Sequence, residues 1–123
     1  MSFRLTRQQR LRTTEEFRAC FEGGYRSGDD HLQLFIRRNG LRFSRLGLSV
    51  SKRHGNAVAR NRKKRLLREA FRLNQHELPG GIDIVCVPCQ RADSTLQDYA
   101  RSLLKLCDRL HRKLPPATGE PSG

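Results

Sequence analysis

Apolar positions recur along this chain in two distinct periods. Phe17, Cys20 and Phe21 follow one another at helical spacing behind Thr13-Thr14-Glu15-Glu16. There Thr13 as N-cap and Glu16 three residues later form a capping-box signature, and Gly23-Gly24 closes the element. Residues 25–31 carry neither period and read as a loop. From Leu32 to Arg38 the period falls to two, with Leu32, Leu34 and Ile36 on one face and Gln33, Phe35 and Arg37 on the other. Asn39-Gly40 is a hairpin signal, and beyond it Leu46, Leu48 and Val50 alternate with Arg45, Gly47 and Ser49 as a second strand. Gly55-Asn56 breaks that strand, and Asn56 is the expected N-cap of a long helix to about His76, closed by Pro79-Gly80-Gly81. Ile82 to Val87 is a third strand. Asp93-Ser94 is expected to cap a last helix to about Leu114, with Leu96, Tyr99, Leu103, Leu110 and Leu114 as its apolar stripe.

These elements predict an α+β fold, an α/β sandwich of three helices on a mixed sheet of about four strands. One or two short strands are expected around residues 40–50, completing the order α-β-β-β-α-β-α. With 123 residues, 36% of them hydrophobic, the chain supports one modest core. A single domain is expected over residues 1–114, with a basic arm at 1–12 and a tail at 115–123 whose composition predicts disorder. The longest apolar run, Ile84-Val85-Cys86-Val87, is far too short to span a bilayer. No apolar stretch follows the charges of the first residues, so no secretory signal and a cytoplasmic location are expected.

Charge sharpens the picture because it is clustered. The formal net charge is +13, from 25 Lys+Arg against 12 Asp+Glu. Residues 51–72 hold nine basic side chains and one acid, Glu69, and residues 31–50 hold four basic side chains and none. Residues 73–123 balance. A tract so one-sided repels itself, and phosphates are the natural counter-charge. On a helical wheel of about 100° per residue from Arg60, the groups Arg60, Asn61, Lys64, Arg65, Arg68 and Arg72 span roughly 0–140°. Ala59, Leu66, Leu67, Ala70 and Leu73 span roughly 220–340°. The first arc is a cationic stripe with an amide in it. Arg dominates it, and its planar fork meets phosphate oxygens two at a time. Backbone N–H groups at Gly55-Asn56-Ala57 favour a further phosphate. These features point to nucleic acid.

The run from Ser51-Lys52-Arg53-His54-Gly55-Asn56 through Arg60-Asn61-Arg62-Lys63-Lys64-Arg65 to Arg68-Glu69 resembles the signature of the protein subunit of bacterial ribonuclease P. Arg10-Leu11-Arg12 with Glu16-Phe17 resembles that family's start, and Leu46-Gly-Leu-Ser-Val-Ser-Lys52 its strand before the helix, so the likeness covers about residues 5–112. The resemblance implies a ribosomal-protein-like fold and a role as protein cofactor of a ribozyme. There a catalytic RNA using Mg²⁺, held mainly by RNA and not by the protein alone, removes the 5′ leader of precursor tRNA. One RNA and one protein subunit would form the particle. It implies that Lys52, Arg53, Asn56, Arg60, Asn61, Arg62, Lys64 and Arg65 lie at or near the contact with the catalytic RNA. It also implies that Phe17, Phe21 and Phe35, with Arg68 nearby, line a cleft for the leader.

Spacing by itself reads Phe17 and Phe21 as an i, i+4 core pair; partial burial, with one ring edge lining the cleft, satisfies both readings. Phe35 is an aromatic on the polar face of its strand, a surface on which unpaired bases stack without sequence readout. Other signals carry less. Cys86-Val-Pro-Cys89 is a lone CxxC, with Cys20 and Cys107 in separate helices, so buried or half-buried free thiols are expected rather than a zinc or redox site. His31, His54, His76 and His111 show no ligand spacing, and His54 reads as a loop histidine, solvated or touching RNA. Asp29-Asp30 reads as turn chemistry. No phosphate-binding loop, nucleophile elbow or buried carboxylate pair gives the polypeptide a catalytic constellation of its own. The alternative function is a non-enzymatic RNA-binding module, such as a ribosomal protein or RNA chaperone.

Overall fold

Thr13 Oγ1 accepts the Glu16 N–H at 3.1 Å while Glu16 Oε1 accepts the Thr13 N–H at 3.0 Å, so the expected capping box opens the first helix. A computed structural model describes residues 6–115. In chain order it has α1 (Thr14–Gly23), β1 (Tyr25–Gly28), β2 (Leu32–Arg38), β3 (Arg45–Leu48), α2 (Ala57–Asn74), β4 (Ile82–Pro88) and α3 (Leu96–His111). Short 3-10 turns at Arg7–Gln9, Lys52–His54 and Gln75–Glu77 flank these elements. The fold is α+β, three helices on one four-stranded mixed sheet. Of the expected tail only Pro115 is described, and the first five residues of the basic arm also lie outside the described residues.

The strand order is β1-β2-β4-β3, with β1/β2 and β2/β4 antiparallel and β3/β4 parallel. Parallel neighbours need a crossover, and α2 supplies it between β3 and β4. Its N-cap is Asn56, whose Oδ1 accepts the Ala59 N–H at 2.9 Å. On one sheet face, Leu32, Leu34, Ile36, Leu46, Ile84 and Cys86 pack against Leu67, Ala70 and Phe71 of α2 and Tyr99, Leu103, Leu106 and Leu110 of α3. On the other face a smaller cluster joins Cys20 of α1 and Leu11 to Phe35 and Val85, with Phe17 and Val87 partly buried against it. The fully buried Leu, Ile and Phe side chains each contribute about 1.5–3 kcal/mol, so the first face carries most of the stability. Among the described residues no helix is long and apolar enough to cross a membrane.

Four expectations are corrected. Residues 25–31 are not all loop, because Tyr25–Gly28 pairs with Gln33–Ile36 as an edge strand. Backbone pairing rather than apolar alternation makes that strand, so no period announces it. The extra strand therefore lies at 25–28, and within residues 40–50 there is only β3, which ends at Leu48 short of Val50. Asn39-Gly40 turns the chain, with Gly40 at φ +74°, yet it joins no hairpin, since β4 sits between β2 and β3. The Asn39 side chain is spent on the turn and on the sheet: Oδ1 accepts the Leu41 N–H at 2.7 Å and Nδ2 donates to Asp83 Oδ1 at 2.9 Å. Finally, α3 is capped by Thr95, not Asp93-Ser94, and ends at His111. Ser94 is instead buried, with its hydroxyl 2.7 Å from His31 Nδ1.

Candidate nucleic-acid interface

Burial fixes which arc of α2 is available to a partner. Leu67, Ala70 and Phe71 are buried, and so is Lys63, only 4% exposed, whose Nζ donates to the Arg91 carbonyl. The buried arc is therefore rotated toward Arg60 relative to the sequence wheel. Phe71 belongs to the core, while Leu73, expected there, is exposed. The rotation leaves Asn61, Arg65 and Arg68 exposed along the outer line of the helix, with Lys64 half-buried beside them. Arg72 is neutralised by Glu69 through both of its carboxylate oxygens, so the free cationic row ends at Arg68.

Arg60 and Arg62 are about 200° apart on the helix, so they occupy opposite flanks with Asn61 projecting between them. Both are half-buried. Among the described residues Arg60 Nε has no hydrogen-bond partner, and the charge of Arg62 bears on Tyr99 of α3. Lys52 and Arg53 are exposed on the 3-10 turn before α2, where Asn56, also exposed, caps the helix. His54 differs from expectation: it is buried, and its Nδ1 accepts the Ser51 N–H at 2.9 Å, which holds that turn in place. It is a structural residue rather than a loop histidine.

The three rings assemble on the other sheet face. Phe21 meets Phe35 edge-on, with centroids 4.8 Å apart at 82°, and Phe17 lies 6.4 Å from Phe21. Their exposure is graded. Phe35 is only 9% exposed, Phe17 is partly buried, and Phe21 is 38% exposed. Phe35 therefore supports the cluster from beneath, and Phe21 with the edge of Phe17 forms its exposed ring surface. Gly47 permits this arrangement, because a Cβ there would lie 2.8 Å from two ring carbons of Phe17. Beyond the rings, Gln33 and Val87 lead into a groove bounded by Arg53, His54, Pro88 and Gln90. Arg68 is not brought to this cluster. It sits on α2, which packs on the opposite face of the sheet.

What holds α1 at this angle went unread in the sequence. Asp83 is fully buried in β4, and Arg45 of β3 grips it with both ends of its fork, Nε to Oδ1 and Nη2 to Oδ2, each at 2.8 Å. Arg45 Nη1 also donates to Glu16 Oε2 at 3.1 Å, linking the sheet to the first turn of α1 one residue before Phe17. Hydrogen bonds from the Thr13 and Arg12 N–H groups, helped by the Arg45 charge, hold the Glu16 carboxyl below its ordinary range. The available signal was a single acid inside an otherwise apolar strand, which burial makes costly unless paired.

Among the described residues no group of three or more His, Cys, Asp or Glu side chains is placed to hold a metal ion. All four cysteines are free. Burial, with Asp83 nearby, pushes the Cys20 thiol up to about 12, burial pushes Cys107 up to about 12, and Cys86 and Cys89 are also raised by burial.

Comparison with known proteins bears on the family and the fold. The family model for ribonuclease P matches residues 5–111. The ribonuclease P protein component of Desulfovibrio desulfuricans is 46% identical over 117 residues, covering 90% of this chain and 89% of that protein. That of Thermotoga maritima is 40% identical over 114 residues, covering 91% and 97%. Among solved structures, the RNase P protein of Thermotoga maritima superposes with a TM-score of 0.74 at 33% identity, covering 81% of this chain and 96% of that one. The Staphylococcus aureus RNase P protein gives 0.70 at 28% identity, covering 85% and 94%.

Proposed function

Because the chain belongs to the ribonuclease P protein family, we propose that it binds a catalytic RNA and helps it remove the 5′ leader of precursor tRNA. The RNA subunit supplies the chemistry, and Mg²⁺, a hard cation that takes oxygen ligands, is held mainly by RNA oxygens. The particle contains one RNA and one protein subunit and works in the cytoplasm.

One observation carries this reading. The structure sets an unpaired cationic helix face and a partly exposed aromatic cluster on opposite faces of one sheet, joined by the exposed Lys52 and Arg53 at the strand ends. The row Asn61, Arg65 and Arg68, with Lys64, offers phosphate contacts to a folded RNA. Arg60 and Arg62, turned to the two flanks, brace that contact and set the angle at which Asn61 meets it. Stacking on Phe21 and Phe17 suits the unpaired bases of a leader, for about 1–3 kcal/mol per base and with little sequence preference. A ribosomal protein or chaperone would have use for the first surface and not for the second.

The test is reconstitution with the catalytic RNA at low Mg²⁺. The protein is expected to restore cleavage of precursor tRNA, and the assembled particle to bind precursor more tightly than mature tRNA. Equal affinity for the two would refute the leader role, and absence of stimulation would refute the cofactor role.

A further inference from the structure

The basic arm before α1 has no part in the reading above, yet it is firmly built. Arg10 bridges Leu46 in parallel at the β3 edge, and the Leu11 N–H donates to the Leu46 carbonyl at 2.9 Å. The Leu11 side chain is buried in the aromatic cluster's core. Gln9 Nε2 donates to Gln75 Oε1 at 3.0 Å, which ties the arm to the residue following α2. The arm thus extends the sheet by one short step, and its side chains project from an anchored backbone.

Between this arm, the start of α1 and the loop before β3 lies an open groove, lined by Arg7, Arg10, Arg12, Glu16, Leu41 and Phe43 among others. Arg7, Arg10 and Arg12 are exposed, and their guanidinium groups make no ion pair or hydrogen bond with any described residue. Glu16 is the one carboxylate among the described lining residues, and its oxygens already serve the Arg12 and Thr13 N–H groups and Arg45. Three unpaired forks therefore stand over a floor of exposed Leu41 and half-buried Phe43. The forks match phosphate oxygens, and the floor takes a base or ribose.

We propose that this groove is a second RNA-binding surface and that its occupant is a segment of the catalytic RNA. The inference rests on the reading of α2 as the RNA-subunit face. The choice of occupant follows from position. The Gln9–Gln75 contact ties the arm to the residue after α2, the helix whose exposed face carries Asn61, Arg65 and Arg68. The leader groove at Gln33, Val87 and Arg53 lies at the opposite ends of β2 and β4, since Arg45 pairs in register with Asp83 and Gln33 with Val87.

The test measures affinity of the full chain for the catalytic RNA alone, across salt, for three variants. The first carries Arg7→Gln, Arg10→Gln and Arg12→Gln together, the second carries Lys at the same positions, and the third is Arg65→Gln on α2. Losing three phosphate contacts should flatten the log–log salt slope by about 2–3, so the Gln variant's deficit should shrink about 20–40-fold from about 50 to about 200 mM salt. The Lys variant should keep the wild-type slope. If the Gln variant binds like wild type while Arg65→Gln is weakened, the groove proposal falls and the α2 reading stands. If neither is weakened, the α2 reading falls first and takes the groove with it. A deficit with unchanged slope, or one seen only with leader-bearing precursor tRNA, also overturns the assignment. Circular dichroism checks the fold, and were the triple variant unfolded, Arg10→Gln alone should flatten the slope by about 0.7–0.9, an unchanged slope refuting the proposal.

Discussion

Arg45→Met removes the main partner of a fully buried carboxylate, and the structure sets the size of the effect. Breaking a buried pair by deleting one member typically costs about 3–5 kcal/mol, because the remaining charge stays desolvated. Asp83 keeps partial compensation from Asn39 Nδ2 at 2.9 Å and Arg37 Nη2 at 3.8 Å. Arg45 itself retains some exposure. The lower end, about 3 kcal/mol, is therefore expected. With unfolding entropy near 2.1 cal/mol/K per residue over the 123 residues, that loss lowers Tm by about 12 °C, and a typical stability of about 5–15 kcal/mol lets the fold survive it. The assay is thermal unfolding at neutral pH by circular dichroism, for Arg45→Met, Asp83→Asn and the double variant. The double variant should recover part of the loss, since removing both partners leaves no orphaned charge. A Tm within about 3 °C of wild type for Arg45→Met, or strict additivity in the double variant, would refute the reasoning. The tether to Glu16 adds a functional readout: leader affinity should fall more than affinity for the catalytic RNA, because α1 carries the rings.

Three further outcomes are expected. Burial raises the Asp29 carboxyl, but hydrogen bonds from Ser102, the His31 and Leu32 N–H groups and Lys105 outweigh it and bring it down to about 2. A depressed folded value means stability present above about pH 4 and lost as pH falls toward about 2, worth about 2 kcal/mol; urea unfolding across that range should show Asp29→Asn missing this contribution at neutral pH and declining less steeply in acid. Phe21→Ala should weaken leader binding by about 1–3 kcal/mol, or 5–150-fold, with little change in Tm, whereas Phe35→Ala, which empties a buried site, should cost about 3–5 kcal/mol of stability in the same melts. With a thiol reagent at mild alkaline pH, Cys89, the half-buried thiol, should label first, and Cys20, Cys86 and Cys107 only on unfolding, since burial both shields them and disfavours their thiolates.

Most elements were legible before any coordinates. The capping box at Thr13, the two-residue period of Leu32–Arg38, the Asn56 cap and the strand at Ile82 depend on neighbours two to four residues away, and each appears in the structure close to where it was read. The two strand misreadings share one cause. The edge strand Tyr25–Gly28 exists because β2 offers it hydrogen-bonding groups, and Asn39-Gly40 fails as a hairpin because β4 takes the place beside β2. Neither outcome is written in the segment concerned. The candidate site divides the same way: its residue types were evident, while the grouping of Arg68 with the rings was not sustained by the layers of the fold.

By itself the sequence determined the order of helices and strands, the caps of the first two long helices, the block of positive charge and hence the kind of partner, because periodicity, capping and charge density are local quantities. Only the tertiary structure decided which cations are free. Packing buried Lys63 and turned Arg60 and Arg62 to opposite flanks. Glu69 neutralised Arg72, and Asp83 consumed Arg45 to hold α1. Asn61, Arg65 and Arg68 were left outward on α2, with Arg7, Arg10 and Arg12 on the anchored arm. A charge is available to RNA only when no nearer partner claims it, and nearness across the fold is set by long-range packing that no local pattern encodes.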